Sequence, residues 1–338
     1  MALIIQAANM HTGGGRTLLR SVLAGVAPDQ ACRVLVDARL DPADVPAHVT
    51  AEAFPPTLRG RFAAERRLQQ LAQPTDVVLC LGNLPPLLPS RSRVYVYLGN
   101  RYLCDERPGR GFSAFARARI TVERLWIRAR LRPEMHLLVQ TPSMQQAARR
   151  SLGVDALVRP VLALSEAITP ATLPGDGTAR FVYPASGDPH KNHAVILDAW
   201  RLLRDAGFTC ELHLTVSEAS PTAASIADAR RDGVRVVNHG HLGPDQLAAL
   251  YASSTALVFP SLFESYGLPL LEARAAGLPI VAAERDYVRD VVVPAETFDP
   301  TSPTSIARAV RRLLGAAEAP ADGLSPAAFV AWISTSGA

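Results

Sequence analysis

The chain has 338 residues, 48% hydrophobic and 20% charged, with a net charge of +4 and a pI near 9.1. That is enough apolar sequence for two cores of roughly 150 residues each, and the basic balance is too mild to point to nucleic acid. It holds no run of 18 apolar residues that would read as a membrane helix, no C-x-x-C among its four cysteines and no metal-ligand spacing among its eight histidines, so reduced thiols and no protein-held metal are expected.

In chain order, ALIIQA (2–7) reads as a buried first strand: it has neither the basic start nor the cleavage site of a signal peptide. The loop and helix start NMHTGGGRTLLR (9–20) follow. Glycines here suit close backbone approach to a phosphate or sugar at a helix N-terminus. Asp37 closes the next strand, RVLVD, as a dinucleotide-binding fold would require, but Leu18 stands where the third glycine of that fingerprint belongs. A plain strand-to-helix turn and a ligand loop both remain open at this point. Strands are then predicted at DVVLCL (76–81), RVYVYL (93–98) and HLLVQ (136–140), with helical periodicity at 17–26, 61–73 and 142–153 and in an arginine-rich segment. Continuous apolar strands alternating with helices predict a parallel sheet covered on both faces.

The arginine-rich segment, Arg107–Arg132, holds eight arginines and one acid, Glu123, with Phe112, Phe115, Leu125 and Trp126 interleaved. Arg117, Arg124 and Arg128 are expected on one helical face. That face is either simply solvated or attracted to anionic lipid or an anionic acceptor. The stretch 164–179, rich in Pro, Gly, Thr and Ala, is the expected linker, dividing the chain into 1–165 and 166–338. Alternation then restarts: RFVYPA, a helix from Lys191 to about Asp205, CELHLTV, a helix over 222–231, VRVVN, PDQLAALYAS, ALVFP, GLPLLEARAA and PIVAA. Two doubly wound α/β domains follow, with ligands expected in loops beyond the carboxyl ends of the strands.

Two of those loops carry chemistry. Lys191 is the only lysine among 35 basic residues, and it stands after a Gly-Asp-Pro turn at a helix start. A lysine there opposes the helix dipole by a few tenths of a kcal/mol, whereas a lysine–phosphate contact contributes roughly 1.5–3 kcal/mol. The position therefore points to an anion. In FPSLFESYGLPLLEARAAGLPIVA (259–282), Glu264 precedes a helix start at Gly267–Leu268, and Glu272 follows eight residues after Glu264. Carboxylates on either side of a helix N-terminus suit a ligand with hydroxyls at both ends and a diphosphate between.

These residues carry a resemblance. Phe259–Ala282 resembles the E-x7-E segment of the retaining GT-B glycosyltransferases of family 4 (glycosyl transferases group 1), and the stretch 186–200, opening SGDPHKNH, resembles their Lys-Asn element. The likeness extends diffusely to HTGGGRTLL and YLGNRYLCD in the first half. It implies a GT-B fold, with an acceptor-binding and a donor-binding domain facing a cleft. Lys191 and the Gly267 and Leu268 amides would hold the donor diphosphate, with Ser265 and Tyr266 beside them. Glu264 would position the transferred sugar and Glu272 the ribose, while Gly14 and Gly15 would approach from the first domain. Asn100 would lie near the reacting sugar, and Arg16 or Arg101 would contact phosphate or acceptor. Many family members carry an arginine where this chain has Ser186, and no D-x-D occurs. The resemblance implies metal-independent, retaining transfer from a nucleotide-diphosphate sugar to a glycan or lipid-linked acceptor, as in bacterial surface polysaccharide assembly, by a cytoplasmic protein peripheral to the membrane. A sugar-nucleotide epimerase, a dinucleotide oxidoreductase and an inactive membrane-surface scaffold are the competing readings. The tail 325–338, with Phe329 and Trp332, is expected to cross back onto the first domain.

Overall fold

The structure is a computed structural model, and it describes residues 1–105, 112–161 and 178–316. Two all-parallel sheets divide them. The first has seven strands in the order β3-β2-β1-β4-β5-β6-β7: β1 Leu3–Ala7, β2 Cys32–Asp37, β3 Thr50–Phe54, β4 Val77–Cys80, β5 Arg93–Leu98, β6 His136–Val139 and β7 Leu157–Val158. Its helices are α1 Gly13–Ala24, α2 Leu58–Leu71, α3 Ala114–Arg130 and α4 Pro142–Leu152. The second has six strands in the order β10-β9-β8-β11-β12-β13: β8 Ala179–Tyr183, β9 Cys210–Leu214, β10 Val236–Asn238, β11 Ala256–Phe259, β12 Ile280–Ala283 and β13 Glu296–Phe298. Its helices are α5 His193–Asp205, α6 Thr222–Arg231, α7 Pro244–Ala252, α8 Leu268–Ala275, α9 Asp286–Arg289 and α10 Pro303–Leu313.

Burial follows the predicted pattern. β11 and β12 are buried at every residue, as a strand covered on both faces must be. Leu68, Ile120, Ile127 and Met144 from α2, α3 and α4 pack on one face of the first sheet, and Leu18, Leu19 and Leu23 of α1 on the other. In the second domain Ile196 and Trp200 of α5 and Ile306 and Val310 of α10 share one core with the strands.

Strand order reverses between β1 and β4 in the first sheet and between β8 and β11 in the second. Such a reversal leaves a crevice beyond the carboxyl ends of the two strands, because their outgoing loops run to opposite faces. The glycine loop leaves β1, the Lys191 loop leaves β8 and the Glu264 loop leaves β11, so all three expected ligand loops stand at reversal points. Most of the linker (164–177), the 165/166 boundary, the 325–338 tail, Arg107 and Arg110 lie outside the described residues.

Candidate active site in the interdomain cleft

The two loops of the second domain are tied together. The Leu262 amide donates to the His190 carbonyl at 2.8 Å, and the Asn192 side chain donates to the carbonyls of Pro260 (3.2 Å) and Pro300 (2.7 Å). Lys191 closes a 3-10 turn, Pro189–Lys191, and α5 begins two residues later, at His193, after Asn192 in a left-handed conformation with φ 63°. The helix start expected at Lys191 is thus shifted, because the left-handed Asn192 breaks the turn. The Lys191 carbonyl accepts from the Tyr183 hydroxyl at 2.8 Å. The side chain then runs across to Glu264, Nζ to Oε1 at 2.5 Å. Ser261 Oγ donates to the same oxygen at 2.7 Å, and the Tyr287 hydroxyl fixes the Ser261 carbonyl at 2.6 Å. The lone lysine and the first carboxylate, 73 residues apart in sequence, therefore meet as one mostly buried ion pair.

Beside that pair α8 begins. Gly267 holds φ 77°, and a Cβ there would lie 3.0 Å from Leu270 Cδ1 and 3.5 Å from the Phe259 ring. Only glycine takes this conformation without strain. Pro269 occupies the first turn, where its missing N–H costs nothing. The first-turn amides of a helix have no intrahelical acceptor, so those of Gly267 and Leu268 are of the kind that can donate to an anion. Glu272, one turn on, accepts from the Tyr251 hydroxyl at 2.7 Å. Burial pushes the Glu272 carboxyl up, and the Tyr251 hydrogen bond opposes that shift. Tyr266 is buried in the domain core.

The first domain closes the other side. Gly14 lies against α8, a Cβ on it falling 3.9 Å from Leu268 Cδ1, while Gly15 faces Met10 of its own domain. The loops after β1, β4 and β5 are stitched by two asparagines. Asn9 donates to the Gly82 carbonyl (3.2 Å), and Asn83 Oδ1 accepts from the amides of Gly99 (2.7 Å) and Asn100 (2.9 Å). Asn100 in turn caps a 3-10 turn, accepting from the Tyr102 amide at 3.1 Å. Ser265 does not point along α8: its hydroxyl accepts from the Arg101 amide at 3.0 Å, bridging the domains.

Two arginines expected as phosphate or acceptor contacts are committed elsewhere. Arg16 binds Asp44 at 2.5 Å and 3.1 Å within the first domain. Arg101, only 6% exposed, forms a bidentate pair with Asp286 (3.1 and 2.7 Å), bonds Asp105 at 2.8 Å and stacks over Phe263 at 4.8 Å. It is a bridge between domains. The Tyr102 ring lies against Phe263, tilted by 35° with centroids 4.5 Å apart, and Asp290 accepts from the Ser143 amide at the start of α4 (2.9 Å). Sequence reading missed Ser261, Tyr251, Asn9, Asn83 and Asp286: Ser261 meets Glu264 three residues on, in a loop with no periodic pattern, and the other four meet partners distant in sequence and set by tertiary packing. Asn83 alone left a local signal, an Asn between a glycine and Leu-Pro-Pro, consistent with its φ of 70°.

Residues 178–316 match the family model described as "Glycosyl transferases group 1". The match falls on the C-terminal domain and covers less than half of the chain. The chain is 34% identical over 111 residues to the MMP alpha-(1->4)-mannosyltransferase of Mycolicibacterium hassiacum, covering 33% of this chain and 26% of that protein. Identity to the D-inositol 3-phosphate glycosyltransferase of Pseudarthrobacter chlorophenolicus is 29% over 156 residues, 44% of this chain and 32% of that one. The chain thus spans about a quarter to a third of these relatives' lengths. Over the whole fold it resembles Anabaena HepE solved in complex with UDP-glucose, with a TM-score of 0.70, 16% identity, and coverage of 93% of this chain and 90% of HepE. The two domains together adopt the GT-B fold.

Proposed function

We propose that this chain is a glycosyltransferase that binds a nucleoside-diphosphate sugar on its C-terminal domain and transfers the sugar, with retention and without a metal, to a glycan or lipid-linked acceptor held by its N-terminal domain. The acceptor class proposed is that of bacterial surface polysaccharide assembly. The observation that carries this reading is the convergence of Lys191, Glu264 and the start of α8 in the crevice where strand order reverses. HepE, which shares the fold, was solved with UDP-glucose, and that supports a nucleotide sugar as donor.

The chemistry follows from charge. Breaking the anomeric C–O bond builds negative charge on the diphosphate and positive character on the ring. Lys191 and the Gly267 and Leu268 amides are donors fixed before reaction, so they stabilise the developing anion more than the ground state. The Lys191–Glu264 pair is the resting arrangement. A docked diphosphate takes over the ammonium, and Glu264, still held by Ser261, is left to orient sugar hydroxyls as a positioning residue. Glu272, held by Tyr251, is placed for the ribose. Arg101, Tyr102 and Ser265 keep the domains closed and water excluded.

The test is turnover with UDP-, GDP-, ADP- and TDP-sugars in the presence of a chelator, with the product's anomeric configuration read by proton NMR. Expected are release of one nucleoside diphosphate and an unchanged anomeric configuration. An inverted product contradicts retention. Donor binding without any release contradicts the enzyme and favours a scaffold.

A further inference from the structure

Helix α3 has two apolar faces. Ile120 and Ile127 are buried against the first sheet, and Trp126 Nε1 donates to the Pro85 carbonyl at 3.0 Å, which fixes the inner face. On the opposite side Phe115, Ala118, Val122 and Leu125 recur at i, i+3, i+7 and i+10. Of these Phe115 is 79%, Val122 60% and Leu125 58% exposed. At 100° per residue, Arg117 and Arg128 fall along one flank of this stripe and Arg119 and Arg130 along the other, all four exposed. Arg124, expected to share a face with Arg117 and Arg128, is instead turned inward to the carbonyls of Tyr102 (3.0 Å) and Asp105 (2.9 Å). The helix's one acid, Glu123, is only partly exposed and lies 3.7 Å from Arg119.

Exposed apolar residues also occur on α2. Leu58 is 91% and Phe62 47% exposed, with exposed Arg59 and Arg66 beside them, and Glu65, the acid of that segment, is buried at 1%. Both helices cover the same face of the first sheet, Arg61 lying 5.7 Å from the Trp126 ring centroid. Both begin at the end of the sheet from which the site loops emerge.

We propose that the outer faces of α2 and α3 dock on an anionic lipid surface, with Phe115, Val122, Leu125, Leu58 and Phe62 entering the headgroup–acyl boundary and the flanking arginines meeting lipid phosphates. A narrow apolar stripe along a helix, bordered on both sides by cations, is the pattern of a helix lying in the interface plane. A second copy of the chain is a poorer occupant, because pairing the face with itself would oppose arginine to arginine. The docked orientation brings the cleft mouth toward the bilayer, where a lipid-linked acceptor would present its head group. This surface is independent of the donor chemistry proposed above.

The experiment is flotation of the full chain with phosphatidylcholine vesicles and with vesicles containing phosphatidylglycerol, alongside light scattering without lipid. The chain is expected to float with the anionic vesicles, less so at high salt. Arg117→Gln and Arg130→Gln should weaken binding about five-fold for each arginine removed. Phe115→Ser with Leu125→Ser should weaken it at least about ten-fold with the arginines intact. Nucleoside-diphosphate binding by these variants should be unchanged, which separates loss of docking from loss of the donor site. Absence of flotation, equal binding to neutral vesicles, or a dimer that Phe115→Ser dissolves would overturn the proposal.

Discussion

Gly267 shows how much one backbone angle can hold in place. Its left-handed conformation turns the chain from the Glu264 loop into α8, so that the helix starts within four residues of the carboxylate paired to Lys191. Gly267→Ala should destabilise the fold by roughly 1–2 kcal/mol, through the left-handed penalty and the Leu270 contact; a lowered urea midpoint checks this. An unchanged midpoint would mean that the turn relaxes. Lys191 and the two carboxylates were legible because each sits in a local pattern: a lone ammonium at a turn, or an acid at a fixed spacing from a helix start. What each touches was not legible. Tyr251 holds Glu272 from 21 residues away, and Asp286 holds Arg101 from 185, and no local pattern records such distances.

Among the elements, most strands read from sequence are apolar runs with a buried centre, Leu3–Ala7 and Ala256–Phe259 among them. The missed ones are short or at sheet edges. Thr50–Phe54 carries a half-exposed pattern with a glutamate in its middle, and Leu157–Val158 and Glu296–Phe298 are two and three residues long. Helix α10 was also missed, although its face packs on α5. At the start of α5, His193 Nε2 lies 2.8 Å from the Ser186 carbonyl, so that nitrogen donates and anchors the Lys191 loop. Nδ1 is buried with no partner among the described residues. Burial pushes the His193 pKa down to about 4. The unfolded imidazole titrates near 6.5, so the folded state binds fewer protons between those values. Stability from this group is complete above pH 6.5 and falls as pH drops toward 4, by roughly 3 kcal/mol in all. Urea unfolding across that range should show a shallower decline for His193→Gln than for wild type; equal slopes would place the titration elsewhere.

For the whole molecule, two domains and their facing edges followed from the alternation of elements, and the structure bears out the GT-B architecture. Its closure did not follow from sequence. The Arg101–Asp286 pair, the Ser265 bridge and Asp290 at the start of α4 join segments from opposite domains. Arg101, expected as a ligand contact from the family resemblance of its loop, is one of these bridges. A strand-end arginine looks the same in sequence whether it faces a ligand or the opposite domain.

The central claim is that Lys191 and the start of α8 form the diphosphate site. Calorimetric titration of UDP, GDP, ADP and TDP into wild type and Lys191→Ala tests it most directly. One diphosphate should bind wild type and bind the variant about ten- to a hundred-fold more weakly, the loss of one charge-assisted contact. Equal affinity for both proteins, or no binding to wild type, would contradict the account.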